Sequence, residues 1–380
     1  MSIGKKGKRV FEDASTERIP APPVGDVNRE SRRMQITWWL AAQGALVVLT
    51  IVIGGLTRLT DSGLSITTWE PVRGILPPLS PDAWAKAFDQ YKAIPEFSLQ
   101  NSSMDLDAFK VIYWWEWIHR LVARLVGLVW LAGFLWFLWR RQLSRRQVLR
   151  FAAIGGLVLL QGLVGWWMVT SGLSGRMVDV AAYRLAVHSG LAFLILGVVV
   201  WSYWLSRKTA ADLLQARRGR DARSFRMTTA ILVLLSVQIV FGALVAGIDA
   251  GRGYTDWPLM NGEFLPSESF DYTPIWRNAL ENPALVQFNH RIAGYLILIL
   301  AFVFWFRSRR SAMAKVRFAA TVTFLVIVGQ SCLGILTLVH GANWTAASLH
   351  QIGAIFVLIF VLWARFLSGY PSGVLERKSQ

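Results

Sequence analysis

Four of the five histidines lie at matching places in long apolar stretches of the sequence, where a side chain of this type can bind a metal. They are His119, His188, His290 and His350, one in every second apolar stretch. Each lies about five to seven residues from the same end of its stretch, which in a helix is a depth of roughly 8 to 10 Å. Ionisable side chains at membrane depth are costly and usually functional. Because pairs of imidazoles facing each other across a helix bundle bind haem iron, we predict two haem sites, His119 with His188 and His290 with His350.

Other metal sites are less well supported by the residues around the histidines. Zinc fits less well than haem, because the surrounding side chains are large and apolar and offer few further ligands. The fifth histidine, His340, has no counterpart elsewhere in the sequence and is predicted to be a surface residue. The single cysteine, Cys332, excludes a disulfide within the chain and is predicted to be a small packing residue.

The two predicted haem sites differ in their acidic residues. Glu116 stands three residues before His119, within about one helical turn, whereas the matching residue of the second site is Gln287. A carboxylate beside a haem in a medium of low dielectric constant can transfer protons or stabilise developing positive charge. The first site is therefore favoured as the reactive one, with the alternative that Glu116 only pairs with Arg120 or Arg124.

Four arginines near the histidines are candidate partners of haem propionates. Arg120 and Arg291 each follow a histidine directly, and they either bind a propionate through charge-assisted hydrogen bonds or only extend their charged ends to the membrane surface. Arg184 lies one turn before His188, and Arg58 lies at the end of the first apolar stretch. The counterparts of Arg184 and Arg58 in the second half are alanines, so the extra basic residues belong to the first site.

Eight apolar stretches are long enough to cross a membrane as helices. Hydrophobic residues make up 54% of the 380-residue chain and charged residues 17%, which is too apolar for an ordinary soluble domain. Stretches of about 20 apolar residues occur at approximately 37–58, 112–138, 151–171, 183–205, 227–248, 286–306, 316–338 and 345–367. We therefore predict an all-α polytopic membrane protein with eight transmembrane helices.

The net charge of +17 is segregated along the chain, which explains it without a nucleic-acid partner. Basic clusters fill the N-terminal tail and residues 140–150, 207–226 and 307–317, whereas 59–111, 172–182 and 249–285 carry few basic residues. We call these three segments the first, second and third acidic loops, because acidic residues outnumber basic ones in the two long segments, 59–111 and 249–285. By the positive-inside rule, the basic segments and both termini lie in the cytoplasm. The first 36 residues are unlike a signal or transit peptide, and a bacterial inner membrane is the predicted location.

The two halves of the sequence repeat each other. Residues 51–63 (IVIGGLTRLTDSG) match 239–251 (IVFGALVAGIDAG), HRLVARLVGL from His119 matches HRIAGYLILI from His290, and QGLVG from Gln161 matches QSCLG from Gln330. The glycines in these segments are predicted to allow close helix packing. Because each repeat has four spans, the two copies have the same orientation in the membrane. We predict two tandem, pseudo-symmetric four-helix bundles at 37–205 and 227–367, with an N-terminal tail (1–36), a linker (206–226) and a C-terminal tail (368–380).

Five segments together resemble the haem A synthase family, in the branch that lacks a pair of loop cysteines. They are GGLTRLTDSG (54–63), FKVIYWWEWIHR (109–120), WPLMNG (257–262), FNHRIAG (288–294) and LHQIG (349–353). The resemblance covers nearly the whole chain after the N-terminal tail. It implies an oxidoreductase that converts haem O to haem A by two successive hydroxylations of the C8 methyl group, followed by loss of water to leave a formyl group.

The resemblance also implies how the two sites are used. His290 and His350 of the C-terminal bundle are expected to hold a permanent haem b, His119 and His188 of the N-terminal bundle to hold the substrate haem O, and Glu116 to be catalytic. The implied partners are the haem O synthase (protohaem farnesyltransferase) that supplies the substrate, the assembly of an aa3-type cytochrome c oxidase, an unidentified electron-transfer partner and membrane lipid.

Two other functions stay open at this point. A bis-histidine cytochrome b that moves electrons across the membrane needs haems near both faces, whereas these histidines lie at one depth. A non-enzymatic haem carrier has no use for Glu116.

Overall fold

Eight long helices dominate the part of the chain that the structure describes. The computed structural model describes residues 24–175 and 177–371. The long helices are α1 (Val24–Leu59), α4 (Leu106–Trp139), α5 (Arg145–Val169), α6 (Ala182–Ser206), α8 (Ala222–Gly247), α10 (Pro283–Ser308), α11 (Ala314–Val339) and α12 (Trp344–Gly369), and the short ones are α2 (Pro81–Lys92), α3 (Pro95–Leu99), α7 (Ala210–Arg218) and α9 (Asn278–Glu281). All eight long helices are apolar enough to cross a membrane. The predicted all-α fold with eight spans is confirmed, and the protein is a multi-pass membrane protein.

Two helices begin earlier than the sequence predicts. α1 starts at Val24, inside the predicted tail, and the rest of that tail and residues 372–380 lie outside the described residues. α4 starts at Leu106 because the carboxylate of Asp105 accepts the Ala108 N–H at 2.8 Å and caps the helix. The added turns bury Phe109 in the first acidic loop. Hydropathy alone does not detect these turns, since their exposed face is polar.

The helices contact each other in two rings of four. α1, α4, α5 and α6 form one ring, and α8, α10, α11 and α12 form the other. The rings touch through α6 with α8 and through α1 with α12. One hydrophobic cluster runs through both rings and includes Leu40, Leu196, Ile231 and Val361. The halves therefore share a continuous core, and the predicted domain bounds stay a prediction.

The first acidic loop folds into a small cap beside the first ring of helices. α2 and α3 carry Phe88 and Phe97, and these pack around Tyr91 and against Phe109 at the start of α4. Proline begins both α2 and α3, where a missing backbone N–H costs no hydrogen bond. The cap is thus an ordered aromatic layer that continues the N-terminal half beyond the spanning segments.

Candidate haem sites

Each of the four histidines lies against a glycine of a neighbouring helix. The histidines are on α4, α6, α10 and α12, and the glycines are on α1, α5, α8 and α11. A Cβ atom at any of these glycines would come within 2.7 to 3.1 Å of a ring carbon, so no larger residue leaves the ring in place. The pairs are Gly54 with His119, Gly165 with His188, Gly242 with His290, and Gly334 with His350. The repeated glycines, which were predicted to allow close helix packing, are therefore the positions against which the histidine rings pack.

The C-terminal pair has a separation that suits one shared metal ion. The ring centroids of His290 and His350 are 6.3 Å apart, and the ring planes are inclined by 81°. A metal–nitrogen bond of about 2 Å on each side places two opposed imidazole centroids roughly 6 Å apart. His290 Nδ1 is buried and has no hydrogen-bond partner among the described residues. His290 and His350 therefore fit a haem iron that would be held between their two imidazoles.

The histidines of the N-terminal pair, His119 on α4 and His188 on α6, lie at comparable places in their helices with one difference in register. His188 lies six residues after the start of α6, and His290 and His350 lie seven and six residues after the starts of α10 and α12. His119 lies thirteen residues after the start of α4, because α4 continues into the cap. His119 is close enough to His188 to act on it electrostatically, and within the described part of the chain its buried Nδ1 has no partner.

Glu116 is buried at 3% exposure and receives four hydrogen bonds. Its Oε2 accepts the Ser65 hydroxyl and the Ile66 N–H, both at 2.7 Å. Its Oε1 accepts two N–H groups of Arg120, at 3.0 and 2.6 Å. The predicted alternative of an ion pair with Arg120 is therefore present, while Arg124 instead donates to backbone carbonyls of the first acidic loop.

The second half has a matching set of hydrogen bonds, in which the uncharged side chain of Gln287 replaces the carboxylate of Glu116. Arg120 also donates to the backbone carbonyls of Ile66 and Thr68. At the repeat-related positions, Arg291 donates to the carbonyls of Tyr254 and Asp256. Gln287 takes the place of Glu116, and its amide oxygen accepts from Arg291 at 2.9 Å while its nitrogen donates to the carbonyl of Ala250 at 2.8 Å. Both arginines therefore fasten an acidic loop to the helix that bears a histidine, and their contact with propionates stays a prediction.

Arg58 and Arg184 lie at the same end of the bundle as the acidic loops. The guanidinium of Arg58 pairs with Asp61 at 2.8 Å, and it reaches Asp249 at 3.4 Å and Asp179 at 3.6 Å. Arg184 donates to the carbonyl of Trp167 at 2.6 Å. Arg58 thus joins the first half to the second, and Arg184 closes the end of α5.

The family of the chain follows from comparison with known proteins. Residues 37–362 match the COX15-CtaA model, described as cytochrome oxidase assembly protein. Relatives named Heme A synthase include proteins of Dinoroseobacter shibae and Ruegeria pomeroyi, each 49% identical, and of Paracoccus denitrificans, 48% identical. Each alignment covers 96% of this chain, and it covers 97%, 97% and 96% of the three relatives, respectively. The chain belongs to the COX15-CtaA family. The resemblance predicted from the sequence motifs is confirmed.

Three glutamines beside the histidines of this COX15-CtaA protein were not predicted as site residues. Gln161 Nε2 lies 3.2 Å from His188 Nδ1, Gln330 Nε2 lies 3.1 Å from His350 Nδ1, and Gln238 Nε2 lies 3.3 Å from His290 Nε2. The Oε1 atom of each glutamine is buried without a partner in the described residues. The repeat of QGLVG in QSCLG was the available signal for two of them.

A second buried carboxyl group lies in the cap of this family member. Glu96 on α3 is 3% exposed, and its Oε2 has no partner among residues 24–175 and 177–371. Burial, followed by the negative charge of Asp179, raises the pKa of Glu96 to about 8. The hydroxyl of Tyr91 and the carboxyl of Glu96 are both close to Asn101 Nδ2, at 2.7 and 3.5 Å. Sequence reasoning missed Glu96 because a loop glutamate is normally exposed.

Two minor predictions can be compared with the structure. His340 is exposed at the end of α11, as predicted for a surface residue. Cys332 is also exposed on α11, so its prediction as a small packing residue is wrong.

Proposed function

We propose that this protein is a haem A synthase that oxidises the C8 methyl group of haem O to a formyl group. The observation that carries the proposal is the presence of two histidine pairs, of which only the N-terminal one has a buried carboxylate, Glu116, one helical turn away among the described residues. The names of the relatives support the same activity. The reaction consists of two successive hydroxylations followed by loss of water, and the haem A formed is destined for cytochrome oxidase assembly.

The C-terminal site is the proposed place of the resident cofactor, haem b. His290 and His350 would hold its iron, and their rings lie against Gly242 and Gly334. When bound, haem b supplies one-electron redox chemistry. The protein's part is to fix both imidazoles: Gln238 and Gln330 lie at the ring nitrogens, and Arg291 fastens the third acidic loop beside the site.

The N-terminal site is the proposed place of the substrate haem O. His119 and His188 bind its iron, and Gly54 keeps the His119 ring at a fixed distance from α1. Glu116 lies one turn from His119 and holds Ser65 and Ile66 of the first acidic loop against α4. The loop is thereby closed next to the reacting porphyrin, and the Glu116 carboxylate provides negative charge where positive charge develops.

The setting of the reaction is a bacterial inner membrane with both termini in the cytoplasm. The described basic segments, including α7, lie at the end of the helices opposite the acidic loops, as the positive-inside rule requires. Haem O is lipidic and suits a site reached from the membrane. The proposed partners are the haem O synthase, the aa3-type oxidase under assembly, and an electron-transfer partner that the chain does not identify.

The experiment is pigment analysis after expression with and without a haem O synthase. We expect haem A only when haem O is supplied, together with a b-type spectrum from the purified protein in both cases. Absence of haem A in the presence of haem O contradicts the enzymatic proposal and leaves a cytochrome or a carrier.

Two variants test the assignment of the sites. Glu116→Ala is expected to retain the b-type spectrum and to lose haem A formation. Gln287→Ala changes the matching residue of the second half, and it is expected to retain both the spectrum and haem A formation. His290→Ala is expected to lose the b-type spectrum. A full yield of haem A from Glu116→Ala rules out its catalytic role.

A further inference from the structure

A cavity of about 260 Å³ lies at the end of the first ring of helices opposite the acidic loops. It is bounded by the start of α1, by the turn between α4 and α5, and by the end of α6. The apolar stretch of α1 begins at residue 37 and α6 ends at Ser206, so the cavity lies at the border between the spanning segments and their basic flanks. Its polar lining consists mainly of four basic residues and two amides, Arg29, Arg32, Arg33, Lys208, Gln142 and Gln147.

One face of α1 supplies three of the four basic residues. Arg29, Arg32 and Arg33 are spaced as i, i+3 and i+4, which places them on the same side of a helix. α1 begins at Val24, about three turns before its apolar stretch, and the three arginines lie in this extension. The turns of α1 that hydropathy does not predict therefore carry the basic side of the cavity.

The carboxylates near these basic residues do not neutralise them. No described residue that lines the cavity is acidic. Glu30 reaches Arg33 at 3.5 Å from outside the lining, and its own side chain is 70% exposed. Asp212 is held at the start of α7, where it accepts the Thr209 N–H at 3.0 Å. The cavity therefore has an excess of positive charge, which an entering anion offsets.

Membrane topology explains the number of basic residues on this side but not their arrangement. The positive-inside rule concerns the count of Lys and Arg in the segments that flank the spans. Arg217 and Arg218 on α7 contribute to that count while they are exposed and outside the lining, whereas the basic residues of α1 and Lys208 after α6 converge on one space. Like charges that face a common space repel each other. Such convergence is typical of a site for an anionic group, and basic pockets between spanning helices bind phospholipid headgroups.

An unpaired hydrogen-bond acceptor is buried in the same lining. Gln142 Oε1 has no partner within the described part of the chain, which costs free energy unless a ligand donates to it. The backbone fixes the position of Gln142, because its N–H donates to the carbonyl of Phe137 at the end of α4, at 3.0 Å. Gln147 Oε1 accepts the Ser144 N–H at 2.9 Å, which leaves the amide nitrogen of Gln147 to donate to a ligand. The lining thus suits a ligand that has both an anionic oxygen and a hydroxyl group.

We propose that this cavity binds the headgroup of an anionic phospholipid, whose phosphate lies among the four basic side chains and whose headgroup hydroxyl donates to Gln142 Oε1. Guanidinium and phosphate groups form strong charge-assisted pairs. A glycerol phosphodiester, as in phosphatidylglycerol, has the phosphate and the hydroxyl together. The ammonium group of a zwitterionic lipid is repelled by the basic residues.

The position and the size of the cavity favour a lipid over a soluble phosphate ester. Two apolar residues of the lining, Ile36 and Leu205, lie toward the spanning segments, next to the depth of the bilayer headgroups. The volume of about 260 Å³ is below the roughly 300 to 1,000 Å³ of a site for a whole drug-sized ligand, so the cavity takes a headgroup and leaves the acyl chains in the bilayer. One lipid bound in this way joins α1, α6 and the turn between α4 and α5.

The test is the affinity of the purified full-length protein for phosphatidylglycerol in a neutral detergent, measured by native mass spectrometry. Arg32→Gln combined with Lys208→Gln is expected to weaken binding about 25-fold, since each basic residue near an anionic lipid contributes about fivefold. Arg217→Gln combined with Arg218→Gln removes the same charge from exposed positions of α7 and is expected to leave the affinity unchanged. Equal affinities of the two double variants mean diffuse attraction to the surface and refute the site.

Stability without lipid separates a binding role of the basic residues from a structural one. In lipid-free detergent, Arg32→Gln combined with Lys208→Gln is expected to have a Tm at least as high as that of the unmodified protein, because fewer like charges face the cavity. Added phosphatidylglycerol is expected to raise the Tm of the unmodified protein and to raise that of the double variant less. A lower Tm of the double variant without lipid assigns both residues to the fold and contradicts the proposal.

Two further ligands identify the chemistry that is recognised. Glycerol phosphate at the concentration of the lipid is expected to leave phosphatidylglycerol bound, and displacement of the lipid assigns the cavity to a soluble phosphate ester instead. Phosphatidylmethanol has the same charge without a headgroup hydroxyl, and the unmodified protein is expected to bind it about fivefold more weakly than phosphatidylglycerol. Gln142→Leu is expected to bind both lipids equally, and a persisting difference argues against the contact with Gln142. None of these measurements requires haem, so their outcomes are independent of the proposed function.

Discussion

Replacing Glu96 with glutamine is expected to remove a pH dependence from the stability of the first acidic loop. Glu96 is 3% exposed, and Asp179, Glu116 and Asp61 add negative charge around it. Its pKa in the folded protein is about 8, against 4.5 for an ordinary glutamate. The folded loop therefore keeps a proton that the unfolded loop has lost. Stability is fully retained below about pH 4.5 and falls as the pH rises through about 8.

The size of the effect follows from the two pKa values. At about 1.36 kcal/mol per pKa unit, the interval corresponds to an upper limit of roughly 5 kcal/mol. Water that enters the loop relieves part of this cost, so we expect a loss of about 1 to 3 kcal/mol between pH 5 and pH 9. Glu96→Gln has no proton to lose, and its loop is expected to keep the same stability across this range.

Hydrogen exchange of the amides in residues 81–105 measures this local stability directly. Protection factors, corrected for the intrinsic effect of pH, should fall with pH in the unmodified protein and stay level in Glu96→Gln. Glu70→Gln, which changes an exposed carboxylate of the same loop, should behave like the unmodified protein. Identical pH profiles for Glu96→Gln and the unmodified protein refute the reasoning.

Two further predictions concern Gly54, which packs against the His119 ring, and Arg58, which contacts aspartates of both halves. Gly54→Ala places a Cβ atom 2.7 Å from His119 Cε1 and displaces the ring, so haem A formation is expected to fall about 10- to 100-fold with an unchanged b-type spectrum. The control is Gly127→Ala, because no described atom lies within 4 Å of the added Cβ atom. Equal activity in both variants contradicts the role of Gly54 in positioning His119. Arg58→Leu leaves the three surrounding aspartates without their shared cation and is expected to cost about 1 to 3 kcal/mol, measured as a lower Tm in detergent at pH 7. The loss should shrink near pH 4, and an equal loss at both pH values argues against charge as the cause.

The features that could be predicted from the sequence are those marked by a periodic or repeated pattern of residues. The eight spans follow from apolar length, and the four histidines follow from their matched places in the repeat. The side-chain partners of Glu116 could not be predicted in full, because Ser65 and Ile66 are about fifty residues away and are brought there by the fold of a loop. Gln238 was missed for a different reason: its repeat partner is a threonine, so no matched motif marked it.

Arg58 makes the junction between the two repeats asymmetric. It reaches Asp61 in its own half and the repeat-related Asp249 in the other, and both aspartates have left-handed backbone conformations, with φ of 47° and 50°. Two identical four-helix chains joined by a twofold axis would bring two such arginines to the same place, where their like charges repel. A single fused polypeptide can keep one and replace its twin by Ala246. Because both halves belong to one chain, their junction can be asymmetric, and a single arginine there serves the aspartates of both halves.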